Sequence, residues 1–140
     1  AQPPEQAARL LLIRGSVLAE RGNHAGAAES GEKLAGLVPP KDQSSAKATN
    51  LYNAACLLSL SSSAAARDKK LPEPKTKELA ERYAVRAVEL LGRARLAGFF
   101  KNPKNIAHLT KDSDLGALRT RADYKKFLHE LQSTPQPQPN

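Results

Sequence analysis

The chain has 140 residues, 40% of them apolar, and carries a formal net charge of +8. That length supports one domain with a modest core, and the single cysteine excludes an internal disulfide and a multi-cysteine metal site. No apolar run approaches the roughly 18 residues needed to cross a bilayer, so no membrane span is expected. The apolar content comes mainly from Ala and Leu, with three Phe, three Tyr and no Trp. Helix formers dominate and β-branched residues are sparse, which predicts an all-α fold. The Ala1-Gln2-Pro3-Pro4 start lacks the basic residues and apolar block of a signal peptide. With the lone thiol, it leads to the expectation of a cytoplasmic chain, and the missing initiator Met suggests a piece of a longer protein.

The first predicted helix runs from Gln6 to Arg21, with Ala7, Leu10, Leu11, Arg14, Leu18 and Ala19 on or near one stripe. Gly22-Asn23 ends it, because both tolerate the left-handed conformation. A second helix spans Ala25 to Leu37 and stops at Pro39-Pro40. The short break between them implies an antiparallel hairpin over 6–38. A third helix, Ser45 to Ser61, contains the small, apolar stretch Leu51–Leu60. Ser61-Ser62-Ser63 is expected to weaken it, leaving a charged, proline-containing surface loop over 62–75. Thr76 to Ala97 is the fourth and longest helix, with Leu79, Ala80, Tyr83, Ala84, Ala87, Val88, Leu91 and Ala94 facing inward. Glu29/Lys33, Glu78/Arg82 and Glu89/Arg93 are i, i+4 pairs in the favourable order.

Residues 45–98 thus form a second hairpin, and 104–132 a helical cap. In the cap, Ile106–Leu109 is expected as a single turn, Asp112 as the N-cap of a short helix, and Thr120-x-x-Asp123 as a capping box for the last one. One helical domain therefore covers 1–132. The alternating prolines of 133–140 read as a disordered tail.

No catalytic, cofactor or metal constellation emerges. His24, His108 and His129 lie far apart and lack metal-ligand spacing. Asp112-Ser113-Asp114 lacks the glycine and distal glutamate of a calcium loop. Cys56 has only apolar neighbours in sequence and no base beside it. The charge is uneven: residues 1–66 sum to +1 and 67–140 to +7. Arg82, Arg86 and Arg93 share one helix face, suited to an acidic partner or polyanion. Nucleic-acid binding would want interleaved exposed aromatics, which this face does not offer.

The first hairpin can be laid on the tetratricopeptide repeat, with Gly15 and Ala27 at its small positions and Pro39 at its closing proline. Leu11 replaces the usual Trp, and Gly31 stands where a large apolar residue is common. The second hairpin opens on Leu51-Tyr52-Asn53-Ala54-Ala55 and continues with Tyr83-Ala84-Val85-Arg86-Ala87-Val88. With Ala97-Gly98-Phe99 and Asp112–Arg119, this order resembles the tetratricopeptide-type region at the C-terminal end of planctomycete-type bacterial serine/threonine protein kinases. The kinase domain itself has no counterpart: there is no Gly-rich loop, His-Arg-Asp or Asp-Phe-Gly.

The resemblance implies a two-hairpin α-solenoid, without catalytic activity or cofactor, that binds a protein or peptide partner. It implies a groove lined by Arg9, Leu12, Ser16 and Glu20 from the first hairpin and by Tyr52, Asn53, Cys56 and Ser59 from the second. Leu12 and Ser16 stand where Lys and Asn would be needed to clamp a C-terminal carboxylate, so that mode is not expected. Leu51, Ala54, Ala55 and Leu58 would face the core. Stable stacks usually need about three repeats, so either the 102–132 segment or a second copy of the chain should complete the core. The alternative reading is a basic helical domain that binds a polyanion or nucleic acid.

Overall fold

The computed structural model describes residues 3–133; all of the expected tail except Ser133 lies outside them. The described residues form helices and no strand. Helix α1 (Pro4–Glu20) starts earlier than expected because Pro4 occupies its first position, where a missing N–H costs nothing. Gly22 has φ +81°, and Asn23 N–H reaches back to the Leu18 carbonyl at 2.8 Å, closing the helix. Asn23 Oδ1 then accepts from Gly26 N (2.9 Å) and caps α2 (His24–Ala35). The C-terminal end of α2 is capped from a distance. Lys47 Nζ donates to the Ala35 and Leu37 carbonyls at 2.8 and 3.0 Å, and desolvation followed by the nearby Arg93 charge lowers the Lys47 pKa.

Helix α3 (Ser44–Ala66) does not stop at the serine triplet. Ser61 Oγ donates to the Leu57 carbonyl one turn back (2.7 Å), and Ser62 Oγ donates across to the Ala80 carbonyl (2.7 Å). Both hydroxyls are thus satisfied inside the protein, and burial rather than propensity carries the helix on to Ala66. The expected loop shrinks because Pro72 and Pro74 open α4 (Glu73–Leu96), at its N-cap and in its first turn.

Helix α3 is the axis of the fold. It packs against α1, α2, α4 and the 3₁₀ turn Ser113–Leu118, and most extensively against α4. Ala54, Ala55 and Leu57 are fully buried, and of the span Asn50–Ala65 only Asn53, Leu60 and Ser63 keep partial exposure. Leu51, Ala54, Ala55 and Leu58 are buried as expected. The opposite face is covered too, so the stretch has no solvated side.

Helix α1 presents Gly15 and Ala19 to the interior with Ala8, Leu11 and Leu12 packed beside them, while Leu10, expected inside, is 44% exposed. A Cβ on Gly15 would meet Leu57 of α3 at 2.7 Å. The glycine therefore makes room for α3 against α1.

Beyond α4, Gly98 turns the chain at φ +93° and Asn102 caps α5 (Pro103–Lys111), which is longer than the expected single turn. Asp112 Oδ1 accepts from Asp114 N (3.0 Å) and caps the 3₁₀ turn, as expected. Helix α6 (Ala122–Ser133) follows, but the capping box does not form. Asp123 instead holds Arg121 (3.0 and 2.9 Å) and accepts from its neighbour Tyr124 N.

Two bidentate ion pairs tie distant elements together: Arg86 to Glu32 on α2 (2.9 and 2.9 Å), and Arg121 to Glu81 on α4 (2.7 and 2.9 Å). Glu29–Lys33 forms as expected (3.0 Å), whereas Glu89 turns to Arg86 (3.2 Å) and Glu78 to Lys75 (3.8 Å) instead of Arg93 and Arg82. Exposed pairs of this kind contribute about 1 kcal/mol or less each.

Candidate functional site

Two concavities adjoin over the N-terminal half of α3. The first, about 630 Å³, lies between the start of α1, the 37–45 connection and α3, and is lined by Glu5, Ala8, Arg9, Leu12, Val38, Asn50 and Asn53 among others. The second, about 640 Å³, continues past Val38, Pro39, Ser45 and Thr49 to Phe99, Lys101 and Asn105. Val38, 86% exposed, stands on the saddle between them. Its exposure has a local cause: Pro39-Pro40 holds the connection extended between two helix ends, so no neighbour covers it.

The residues expected to line a groove divide sharply. Arg9, Leu12 and Asn53 do line the first concavity. Ser16 (half-buried) and Glu20 (exposed) lie elsewhere on α1. Tyr52, Cys56 and Ser59 are buried, at 3%, 3% and 0% exposure, and cannot meet a partner. The cap is what covers Tyr52 and Cys56. Tyr52 stacks on Phe99 (centroids 4.6 Å apart) and donates its hydroxyl to Asp112 Oδ2 at 2.6 Å. Cys56 Sγ–H points at the same oxygen from 3.6 Å, and His108 Nε2 lies 3.2 Å from it.

Arg119 completes this knot by donating to the carbonyl of Asp112 and to the carbonyl of Leu109 (3.3 Å). Asp112 is therefore both a cap and the hub that fastens the C-terminal segment to α3. Its pairing with His108 at i, i+4 was visible in the sequence; its pairing with Tyr52, sixty positions away, was not.

Burial, and then the neighbouring carboxylates Asp112 and Asp114, push the Cys56 thiol up, which keeps it protonated and a poor nucleophile. Burial also raises Tyr52, and burial with the adjacent Asp112 raises Asp114. The ligand atoms of Cys56, Asp112 and Asp114 all lie within 4.8 Å of one another, a grouping invisible in the sequence spacing. Both Asp112 oxygens, however, are already engaged by Tyr52, Cys56, His108 and Asp114 N.

His24 joins the two hairpin ends. Its Nε2 lies 3.0 Å from Asp68 Oδ2 and its Nδ1 3.3 Å from Tyr83 Oη. The His24 hydrogen bond, helped by the backbone of Lys70, holds the Asp68 carboxyl below the usual carboxylate range. A depressed folded-state pKa gives stability that is full above the unfolded value and lost as pH falls through the folded one. The melting-temperature gap between the wild type and Asp68→Asn should therefore close on acidification below about pH 4. A gap that stays constant from neutral to acid pH would contradict this.

The expected basic face is broken. Arg82 and Arg93 are exposed, but Arg86 is committed to Glu32 and Glu89. Among the described residues no helix is long and apolar enough to cross a membrane. No protein-family model, characterised protein or solved structure matches the chain.

Proposed function

We propose that the chain is a non-catalytic helical scaffold of tetratricopeptide type that binds a protein partner in the groove crossing the N-terminal half of α3. The observation that carries this is the pair of joined concavities, with an almost fully exposed valine between them and apolar walls from Leu12, Leu37 and Ala46. Exposed apolar surface flanked by polar groups suits protein association. The order of helices and the small residues at Gly15 and Ala27 support placing the module in a larger signalling chain, such as a bacterial serine/threonine kinase.

Val38→Arg and Leu12→Glu change the groove without touching the buried knot. Both should abolish capture of a partner in a pull-down, whereas Arg82→Glu, on the exposed face of α4, should leave capture intact. Equal capture by all three would remove the groove from the reading. The polyanion alternative loses support because Arg86, the middle cation of its face, is already paired.

A further inference from the structure

Resting on that reading, we infer that the partner segment is an extended, acidic stretch of chain whose backbone is met by the side-chain amide of Asn50. Three observations lead there. The first is Asn50 itself. It is only 7% exposed and lines the groove, and its amide makes no hydrogen bond to any described residue. Among the described residues, Ser59 Oγ is the one fully covered side-chain polar atom without a partner, so the Asn50 amide still opens towards the groove. A nearly buried amide with both a donor and an acceptor unused matches the alternating C=O and N–H of an extended peptide. Asn53, one helical turn on, adds a second unpartnered amide on the same wall.

The second observation is charge. Arg9 and Lys41 border the two concavities, against Glu5 alone, while Lys47 beside them is held on the Ala35 and Leu37 carbonyls. Cations converging on a concave, low-dielectric wall favour an acidic ligand and speed its arrival. The third is shape. The concavities run on into one another past Val38, so a partner must pass over a saddle and contact both sides. An extended segment can do that with one apolar side chain against Val38, whereas a helix is about 10 Å across.

The test is selection from a phage-displayed library of random linear dodecapeptides, followed by fluorescence anisotropy with the synthesised winners. Winners are expected to be acidic, to weaken as salt is raised, and to lose binding to Val38→Arg. They should weaken about tenfold with Asn50→Leu, which removes the amide at nearly constant volume. Circular dichroism confirms that this variant is folded. Lys41→Glu combined with Arg9→Glu, both at exposed positions, provides an independent check and should also weaken them. Winners that need Val38 but are neutral or basic, or that ignore Asn50→Leu in a folded variant, overturn this inference and leave the binding-module reading standing. Winners that bind equally well to Val38→Arg overturn both.

Discussion

Gly31→Leu is expected to lower the melting temperature by about 10 °C, from a destabilisation of roughly 3 kcal/mol or more. The tetratricopeptide pattern that the first hairpin resembles commonly carries a large apolar residue at this position, yet the substitution should be harmful here. A Cβ on Gly31 would sit 2.5 Å from Leu58 Cδ2, 3.2 Å from Leu57 Cβ and 3.3 Å from the Ala54 carbonyl oxygen. Two of those atoms belong to, or are anchored directly on, the α3 backbone and cannot swing away. Overpacking must then outweigh the roughly 1 kcal/mol that replacing a helical glycine would return. Gly92→Ala is the control. Nothing lies within 4 Å of its added Cβ, so it should stabilise by about 0.5–1 kcal/mol. Thermal melts of the two variants decide the matter: a neutral Gly31→Leu would mean that α2 can move off α3 at little cost.

Asp112→Ala should cost about 2–4 kcal/mol, with the loss concentrated in the C-terminal segment. Removing the carboxylate leaves the Tyr52 hydroxyl without its acceptor, frees His108 and uncaps the 3₁₀ turn at Asp114 N. Tyr52 is buried, so its unpaired hydroxyl bears most of the penalty. Hydrogen exchange should quicken across α5, the 3₁₀ turn and α6, while α1 and α2, which pack chiefly on each other and on α3, keep their protection. Tyr52→Phe removes one of these bonds and keeps the ring stack on Phe99, so its effect should be smaller and in the same region. Exchange that rises uniformly along the chain would show that the cap and the hairpins unfold as one unit, without a local latch.

What was legible in the sequence was what depends on local spacing. The all-helical fold, the first hairpin with its Gly22-Asn23 turn and the capping role of Asp112 follow from periodicity, propensity and side-chain reach over a few residues. Each holds because its energetics are settled within one or two turns of chain. The small residues of Leu51–Leu60 likewise announce that another helix comes close.

Other features were decided only when distant segments met. Three serines in a row look like a helix end until the Ala80 carbonyl and the Leu57 carbonyl take up two of their hydroxyls. Prolines 72 and 74 look like loop markers, and serve equally well to open a helix. The groove that the resemblance implies for Tyr52 and Cys56 holds only if nothing covers that side, and the Asp112 knot does cover it.

The candidate site follows the same division. Arg9, Leu12 and Asn53 were implied by the resemblance and do line the first concavity. Asn50 and Val38 were not, because an unpaired amide and an uncovered valine are properties of what fails to pack against them. A sequence specifies which side chains a helix presents on each face. Which of those faces stays open depends on where the remaining helices come to rest, and here the C-terminal segment closed one side of α3 and left two concavities beside its N-terminal half.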